Sequence, residues 1–373
     1  MSDAGVYVHV PFCLTRCGYC DFNAYAGMDA LAPRYVRALL DEVDLVAPSW
    51  ADERVVSVFV GGGTPTTLDV ADLRGVLERV RDRFGVVDDA EITIEANPDT
   101  VDEAKLAGLI AAGFDRLSMG AQSFDRGVLA ALERVHQPDG VRRAFASARS
   151  AGYGNVNLDL IYGADGEGLD SWERTLEEAI ALAPEHVSAY ALTIEPATPL
   201  GRKVAHGDVP APDPDLQADM FAAACDLLGS AGYRHYEVSN WAKPGYECRH
   251  NLGYWERRPY AGLGAGAHAF RDDRRWWNVR PPEEYMTRVE AGELPIGGEE
   301  QLEPPDAYLE EVFLRLRILE GIPSSWVEPD RALPFLESGL LQEDGGALVP
   351  TERGMLLLNE LVLALAANQS VTD

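Results

Sequence analysis

Three cysteines lie close together near the start of the chain, as Cys13, Cys17 and Cys20 in the segment CLTRCGYC. Thiolates at such spacing can bind one compact cluster, and three thiolates on a four-iron cluster leave one iron open to a ligand that is not protein. The alternatives are a zinc site that includes His9, or three unrelated thiols. A structural zinc site normally has four protein ligands with paired cysteines, and no second pair is present here. The spacing therefore favours an iron–sulfur cluster with a reactive open iron.

The residues around these cysteines resemble the radical S-adenosylmethionine (SAM) superfamily. CxxxCxYC is its signature, and YVHVPFC followed by CGYCDF is similar to the branch that contains oxygen-independent coproporphyrinogen III oxidase and the HemW-type heme chaperones. The resemblance extends through about residue 270 and, more loosely, to the C-terminus. It implies a 4Fe-4S cluster on the three cysteines, with the amino and carboxylate groups of SAM on the open iron.

Composition excludes several classes of protein. Five cysteines, three of them bunched, do not form a disulfide framework, so we expect a reducing, cytoplasmic location. The first residues lack the pattern of a signal peptide, and no apolar stretch approaches the roughly twenty residues of a membrane span. A net charge of −29 argues against non-specific nucleic-acid binding, which depends on basic residues.

Short apolar runs alternate with helical patterns along the first half of the chain. Such alternation predicts right-handed βαβ units and a parallel sheet. The predicted strands are Val6–Val10, Val55–Val60, Glu91–Ala96, Arg116–Gly120, Asn155–Tyr162 and His186–Ile194. Helical spacing is found around residues 36–46 and in Asp69–Phe84, Val101–Ala112, Val128–Ala151 and Leu169–Ala183. Periodicity does not distinguish an open sheet from a barrel, whereas the resemblance implies an α/β fold with a partial (β/α)6 barrel.

Polar groups follow or interrupt these predicted strands. GGGTP, residues 61–65, comes directly after the second strand, and its glycines would expose backbone amides to a ligand or simply form a tight turn. Glu95, Gln122 and Asp159 stand in otherwise apolar strands, where each needs a partner once it is buried. The resemblance implies that the SAM contacts are Tyr7, Gly62, Gly63, Thr64, Glu95, Gln122, Arg134 and Asp159.

Two features separate the chaperones from the porphyrinogen-converting enzyme. The enzyme has a further cysteine two residues after the cluster motif, where this chain has Phe22, and a long N-terminal extension over its substrate. HNxxYW, here residues 250–255, marks the HemW type, and the resemblance implies that His250 binds heme. A neutral imidazole is a suitable axial ligand, and Tyr254 and Trp255 would be flat walls of the same loop. The alternative is a histidine that caps a loop, and Cys248 could assist or simply pack.

Other motifs are less specific. The GxGxG string in residues 262–268 does not open a cofactor helix, so it is not interpreted as a dinucleotide site. In the family this loop lies near the adenine of SAM, which makes Ala267 or His268 a weak candidate contact. The remaining histidines are interpreted as core or surface residues, and Cys225 as core. These histidines are His136, His186, His206 and His235.

The pattern changes after about residue 303. Amphipathic helices at 308–319, 325–335 and 354–366 and a short strand at 347–350 predict a winged-helix-like domain. Residues 303–373 contain thirteen acids, four arginines and no lysine, so this domain is expected to contact protein or cover a ligand, and not to bind DNA. The predicted domains are a radical SAM core at 1–200, a barrel-completing extension at 201–302 and this domain at 303–373.

The sequence as a whole favours a heme chaperone over an enzyme. The resemblance implies a protein that binds a 4Fe-4S cluster, SAM and heme and delivers heme to acceptor proteins, respiratory proteins among them. The second hypothesis is a radical SAM enzyme that acts on a tetrapyrrole, by oxidative decarboxylation or methyl transfer. A third, an acidic regulatory winged-helix protein, leaves the cysteine motif unexplained. No catalytic residue is predicted.

Overall fold

A parallel sheet of six consecutive strands forms the centre of the protein. The computed structural model describes residues 2–366. Each of the six strands lies beside the next one in the sequence and runs parallel to it. The strands are β1 Asp3–Val10, β2 Arg54–Gly62, β3 Val86–Ala96, β4 Arg116–Gln122, β5 Val156–Tyr162 and β6 His186–Ala191. The predicted βα alternation and parallel sheet are confirmed.

All six strands differ in length from the predictions, β3 by the most. β3 begins at Val86, five residues before the predicted start at Glu91, because Val86 pairs with Val55 ahead of a bulge in the ladder between the two strands. Two exposed aspartates inside this early part of the strand, at positions 88 and 89, obscure the apolar pattern. β6 ends at Ala191, three residues before the predicted end.

Helices connect these strands and pack on the apolar face of the sheet. They are α1 Ala32–Val46, α2 Val70–Arg83, α3 Glu103–Ala112, α4 Arg126–Ala131, α5 Pro138–Ala151 and α6 Leu169–Leu182. The prediction of one helix over Val128–Ala151 is wrong, since the chain leaves the helix at 132–137. Proline suits the first turn of α5 and disfavours a helical residue before it, and Glu133 has a φ of 53°. This break contains Arg134.

The sheet continues on both sides of the six strands. Residues 199–301 add the strands β7 Arg234–Glu237, β8 Asn240–Ala242, β9 Tyr260–Leu263, β10 His268–Arg271, β11 Arg274–Asn278 and β12 Ile296–Gln301, and the helices α7 Pro199–His206, α8 Pro214–Ser230, α9 Arg249–Trp255 and α10 Pro282–Glu290. The strand order is β12-β11-β10-β9-β1-β2-β3-β4-β5-β6-β8-β7, with β9 parallel to β1. The result is a partial barrel with antiparallel strands at both edges.

The two-residue period of the strands separates an apolar face from a polar one. Every second side chain of β1–β6, such as Val8 in β1 and Ile94 in β3, joins the core beneath the helices. The side chains between them line cavities inside the barrel, as Tyr7 and Glu95 do in the same two strands. The polar residues that interrupt the apolar strands are therefore collected on one inner surface.

The C-terminal residues form a separate small sheet covered by helices. The elements are α11 Pro304–Arg315, β13 Ile322–Pro323, α12 Pro329–Glu337, β14 Leu341–Asp344, β15 Ala347–Pro350, α13 Glu352–Met355 and α14 Leu358–Ala366. The three strands are antiparallel in the order β13-β15-β14, which is the predicted winged-helix-like arrangement. All three predicted helices differ in their bounds: prolines at 304 and 329 start the first two, and the third is divided into α13 and α14.

The predicted domain boundaries remain predictions. Residues 201–302 contribute strands to both edges of the barrel sheet, and the last seven residues of the predicted domain 303–373 lie outside the described part of the chain. None of the helices within residues 2–366 combines the length and the apolar character needed to cross a bilayer.

Candidate cofactor site at the barrel mouth

The three cysteines lie in the loop that leaves the C-terminal end of β1. Phe12–Cys13 pairs with Tyr25–Ala26 as a two-residue parallel ladder, and this pairing closes the loop. Inside it, the Cys20 amide donates to the Cys17 carbonyl at 3.2 Å. Cys13 and Cys17 are buried, Cys20 is partly exposed, and all three are free thiols. The short ladder thus holds three separate thiols in one turn-rich loop at the mouth of the barrel.

A cavity of about 530 Å³ joins this loop to the strand ends. It contains all three cysteines and seven of the eight residues predicted to contact SAM, namely Gly62, Gly63, Thr64, Glu95, Gln122, Arg134 and Asp159. The eighth, Tyr7, lines neighbouring cavities that also include Glu95. A volume in the range of roughly 300–1,000 Å³ is typical of small-molecule sites. Residues from four strands, β2 to β5, and from three loops are therefore brought to one place.

Polar groups surround two of the thiols. The Cys13 Sγ lies 3.5 Å from the Thr64 hydroxyl, and the Arg134 guanidinium donates to the Cys17 Sγ at 3.1 Å. Burial raises the pKa of Cys13, a rise that the Thr64 hydrogen bond opposes, and burial raises the pKa of Cys20 to about 11. In the protein alone these two thiols are protonated at neutral pH, and bound iron would displace the protons. Three thiols and an adjacent cation form a donor set that fits an anionic iron–sulfur cluster.

Glycine is required at the second position of the GGGTP segment. Gly62 has a φ of 113°, which is the left-handed region that favours glycine. A Cβ atom built there would overlap the imidazole of His9. The Gly62 amide donates to Glu95 Oε2 at 3.0 Å. The segment is therefore a tight turn that packs against β1, and at the same time it positions Glu95.

Two carboxyl groups that are only partly exposed, those of Glu95 and Asp159, line the cavity. Burial, with the charge of Asp159 as the second cause, raises the pKa of Glu95 to about 7. Burial also raises the pKa of Asp159, which accepts hydrogen bonds from the Ser118 hydroxyl at 2.9 Å and the Asn157 amide at 2.8 Å. Such groups are costly without a cationic partner, and the positive ammonium or sulfonium of SAM would be such a partner.

Gln122 provides a further sign of a ligand site. Its Oε1 atom is buried without a hydrogen-bond partner in residues 2–366, and its φ of 57° is unusual for a residue other than glycine. Buried polar atoms in native proteins nearly always have a partner, and strained backbone is concentrated at binding sites. A bound molecule in this cavity would supply the missing donor.

Sequence reasoning did not identify all residues of the site. Tyr19, inside the cysteine motif, and Tyr190, at the end of β6, line the main cavity. Arg116 is only 2% exposed and lines a smaller cavity deeper in the barrel, with Asp159. Arg116 could have been identified from the sequence as an arginine at the start of an apolar strand, because a buried guanidinium needs anionic neighbours.

His250 is placed differently from the prediction. Residues 249–255 form helix α9 and not a loop, and the imidazole is 3% exposed. Its Nδ1 lies 2.9 Å from the Ser57 hydroxyl and its Nε2 lies 2.9 Å from the Tyr254 hydroxyl. The ring also stacks on Phe59, with centroids 5.2 Å apart. Both nitrogens thus have protein partners in the described conformation.

An ordinary histidine protonates below about pH 6, which would weaken its binding to heme iron, but the environment of His250 changes this expectation. Burial, helped by the charge of Arg116, lowers the pKa of His250 to about 3. The ring stays neutral well below pH 6, so protonation of this residue would not weaken heme binding there.

Cys248 is fully buried and packs with its Sγ 3.5 Å from Glu91 Oε1.

The remaining histidines and Cys225 agree with their predicted structural roles. His136, His186 and Cys225 are buried, and His206 is exposed. His235 stacks on Trp241 with ring centroids 4.4 Å apart.

The chain is similar to known proteins over nearly its whole length. Residues 7–179 match the model of the radical SAM superfamily, and residues 302–357 match the HemN C-terminal domain. The chain is 44% identical to the heme chaperone HemW of Mycobacterium tuberculosis over 97% of its own length and 94% of that protein. It is 37% identical to the Escherichia coli heme chaperone HemW, with 96% of each chain covered.

A solved structure is also similar to this chain. Coproporphyrinogen III oxidase (HemN) of Escherichia coli, a radical SAM enzyme, superposes with a TM-score of 0.84 at 25% identity, covering 98% of this chain and 90% of that one. Identity of 37–44% over nearly the whole length is found with the heme chaperones. The superfamily implies a 4Fe-4S cluster and SAM as cofactors. The chain therefore belongs to the radical SAM superfamily and, within it, to the HemW family.

Proposed function

We propose that this protein is a heme chaperone that binds a 4Fe-4S cluster, SAM and heme and transfers heme to acceptor proteins. One observation carries the proposal: a single cavity collects the three cysteines and seven predicted SAM contacts, in a chain 44% identical to a heme chaperone. We further propose that it acts in the cytoplasm, where free thiols persist.

The proposed cofactor binding assigns a role to each side of the cavity. Cys13, Cys17 and Cys20 hold the cluster, and the Arg134 guanidinium, 3.1 Å from the Cys17 Sγ, offsets negative charge there. The carboxyl of Glu95 and the turn after β2 hold the amino acid part of SAM. The amides of Gly62, Gly63 and Thr64 are not free for this, because they already donate hydrogen bonds within the protein. When bound, the cluster and SAM supply one-electron chemistry.

Heme ligation by His250 remains a prediction, and the structure sets a condition on it. The ring would have to give up its hydrogen bonds to Ser57 and Tyr254 and leave the space beside Gly5, where an added Cβ would lie 3.1 Å from the His250 Cε1. A tightly packed histidine of this kind would bind iron only if α9 moved away from the barrel.

The second candidate function is a radical SAM enzyme that acts on a tetrapyrrole. The observation that favours it is the TM-score of 0.84 with coproporphyrinogen III oxidase over nearly the whole chain. Position 22 is an exposed phenylalanine here, whereas the enzyme motif has a cysteine at this position. This difference favours the chaperone.

Turnover distinguishes the two functions. Cluster-loaded protein would be incubated anaerobically with reductant, SAM and coproporphyrinogen III, and the products separated by chromatography. A chaperone leaves the porphyrinogen unchanged, whereas several equivalents of decarboxylated product per protein would establish the enzyme and refute the proposal. The Cys17→Ser variant is the matched control for cluster-independent product.

A further inference from the structure

Helix α9, which carries His250, is attached to the barrel at its N-terminal end. The backbone amides of Arg249 and His250 donate to the Glu91 carboxylate of β3 at 3.1 and 3.2 Å. Amides in the first turn of a helix have no partner within the helix, so this carboxylate satisfies both of them. The Arg249 guanidinium also donates to the Asp89 carbonyl at 2.7 Å. The start of α9 is therefore a fixed point on the barrel.

The other end of α9 is held by the C-terminal domain. Arg257 follows the helix by two residues, and its Nε donates to Glu310 of α11 at 3.0 Å. Its Nη1 donates to Asp273, between β10 and β11, at 2.8 Å. The second oxygen of the Glu310 carboxylate accepts from Arg275 of β11 at 2.6 Å. A carboxylate of the C-terminal domain thus joins the end of α9 to the edge of the barrel sheet.

The contact between Arg257 and Glu310 differs from an ordinary surface ion pair. The two side chains are 12% and 18% exposed, whereas Asp273 is 49% exposed, so water screens the pair with Glu310 less than the pair with Asp273. Arg257 also has a φ of 61°, in the left-handed region that disfavours residues other than glycine. Strained backbone of this kind is concentrated at binding sites and switch regions, where the surrounding contacts maintain it.

Movement of this end of α9 would uncover His250. The ring is held against β2 by the Ser57 hydroxyl, 2.9 Å from Nδ1, and by the stack on Phe59. Tyr254, whose hydroxyl lies 2.9 Å from Nε2, is on the same helix and packs edge to face on Tyr260 of β9. A displacement of α9 breaks the contacts to β2 and releases the Tyr254 ring from β9. Both imidazole nitrogens would then become accessible.

We infer that Arg257 and Glu310 form a latch that keeps α9 closed over His250, and that heme iron reaches the imidazole when this latch opens. The inference rests on the proposed function and gives the C-terminal domain a part in it, the control of heme access. The attachment at Glu91 serves as the hinge and the ion pair as the catch, and a short helix between two such points moves as one rigid element.

Hydrogen exchange of the heme-free protein tests whether the latch holds α9. Arg257→Gln removes the catch, and Arg258→Gln is the matched control, because the adjacent Arg258 pairs locally with Glu256. Arg257→Gln is expected to speed exchange of the amides of residues 252–256 about tenfold, which corresponds to about 1.4 kcal/mol, while the amides of β4 keep their wild-type rates. Glu310→Gln is expected to act in the same direction by about threefold, since the contact to Asp273 remains. Its control is Glu311→Gln, because Glu311 pairs with Arg315 within α11.

Stopped-flow binding of hemin to the cluster-loaded protein tests the link to His250. Arg257→Gln is expected to speed hemin association about tenfold, with the imidazole signature retained in magnetic circular dichroism. In the His250→Ala background the same substitution should no longer change the association rate, because the group that the latch covers is then absent.

The possible results separate the latch from the function on which it rests. The inference is overturned if α9 exchanges equally in Arg257→Gln and Arg258→Gln, if the amides of β4 exchange faster to the same extent, or if Glu310→Gln behaves as Glu311→Gln does. Equal acceleration of hemin association with and without His250 would also refute it. In each of these cases, hemin binding by the wild type leaves the proposed function standing. If neither the wild type nor Arg257→Gln binds hemin, both fail.

Discussion

Replacement of Glu95 by glutamine should stabilise the cofactor-free protein in a pH-dependent way. Glu95 lines the cofactor cavity and is only partly exposed, and burial and the charge of Asp159 raise its pKa from 4.5 to about 7. Glutamine has the same shape, cannot ionise, and can still accept the hydrogen bond that the Gly62 amide donates at 3.0 Å. The substitution therefore removes the cost of the buried charge and keeps the packing.

The size of the expected stability difference follows from the pKa of Glu95 in the unfolded and in the folded protein. A carboxyl with a raised pKa in the folded state loses its proton more easily in the unfolded state, so the free energy of unfolding falls as pH rises from 4.5 to about 7. One pKa unit corresponds to about 1.4 kcal/mol, which gives a cost of about 3 kcal/mol above pH 7. At pH 5 most of this cost is absent, and a difference of about 1 kcal/mol remains.

Urea unfolding followed by tryptophan fluorescence at pH 5 and pH 8.5 measures this difference. Glu95→Gln should exceed wild type by about 3 kcal/mol at the higher pH and by about 1 kcal/mol at the lower. Glu293→Gln, at an exposed position, is the control. The contributions of acids that do not interact with Glu95 cancel, because all variants share them. The same stability difference at both pH values would refute the reasoning. SAM should also stabilise Glu95→Gln less than wild type, if Glu95 binds SAM as proposed.

Two further substitutions test the thiols and the glycine turn. Cys17→Ser should abolish the SAM-perturbed electron resonance signal of a 4Fe-4S cluster, while Cys225→Ser, in the core on α8, should keep it; the reverse result would show that the ligand assignment is wrong. Gly62→Ala should lower the free energy of unfolding by about 1–3 kcal/mol, because of its φ of 113° and the overlap with His9. Gly154→Ala, with open space around its Cβ position, is the control, and an equal effect of both would contradict this explanation.

The fold was largely predictable because its strands are continuous apolar runs. Runs such as Val55–Val60 indicate strands buried on both sides, and the helices between them require parallel pairing. The choice of a partial barrel came from the family resemblance, since periodicity is the same for a barrel and an open sheet. The division of the predicted helix at 128–151 could have been found from Pro138, which starts α5.

The cofactor cavity was predictable for a related reason. Glu95, Gln122 and Asp159 interrupt apolar strands, and the two-residue period places all three on the inner surface. The location of His250 was not predictable, because its hydrogen bond to Ser57 joins residues far apart in the sequence. Local sequence shows that a histidine precedes two aromatic residues, but only the packing of α9 against the barrel shows that both of its nitrogens are occupied.

The delivery of heme on contact is the central claim. Cluster-loaded protein that carries heme would be mixed with a heme-free cytochrome under anaerobic conditions, and transfer followed by the change in the Soret band. The same two proteins would be separated by a dialysis membrane in a parallel sample, where only released heme can cross. A chaperone should transfer heme much faster in the mixed sample than across the membrane. Equal rates in the two samples would show simple release into solution and would contradict the proposed function.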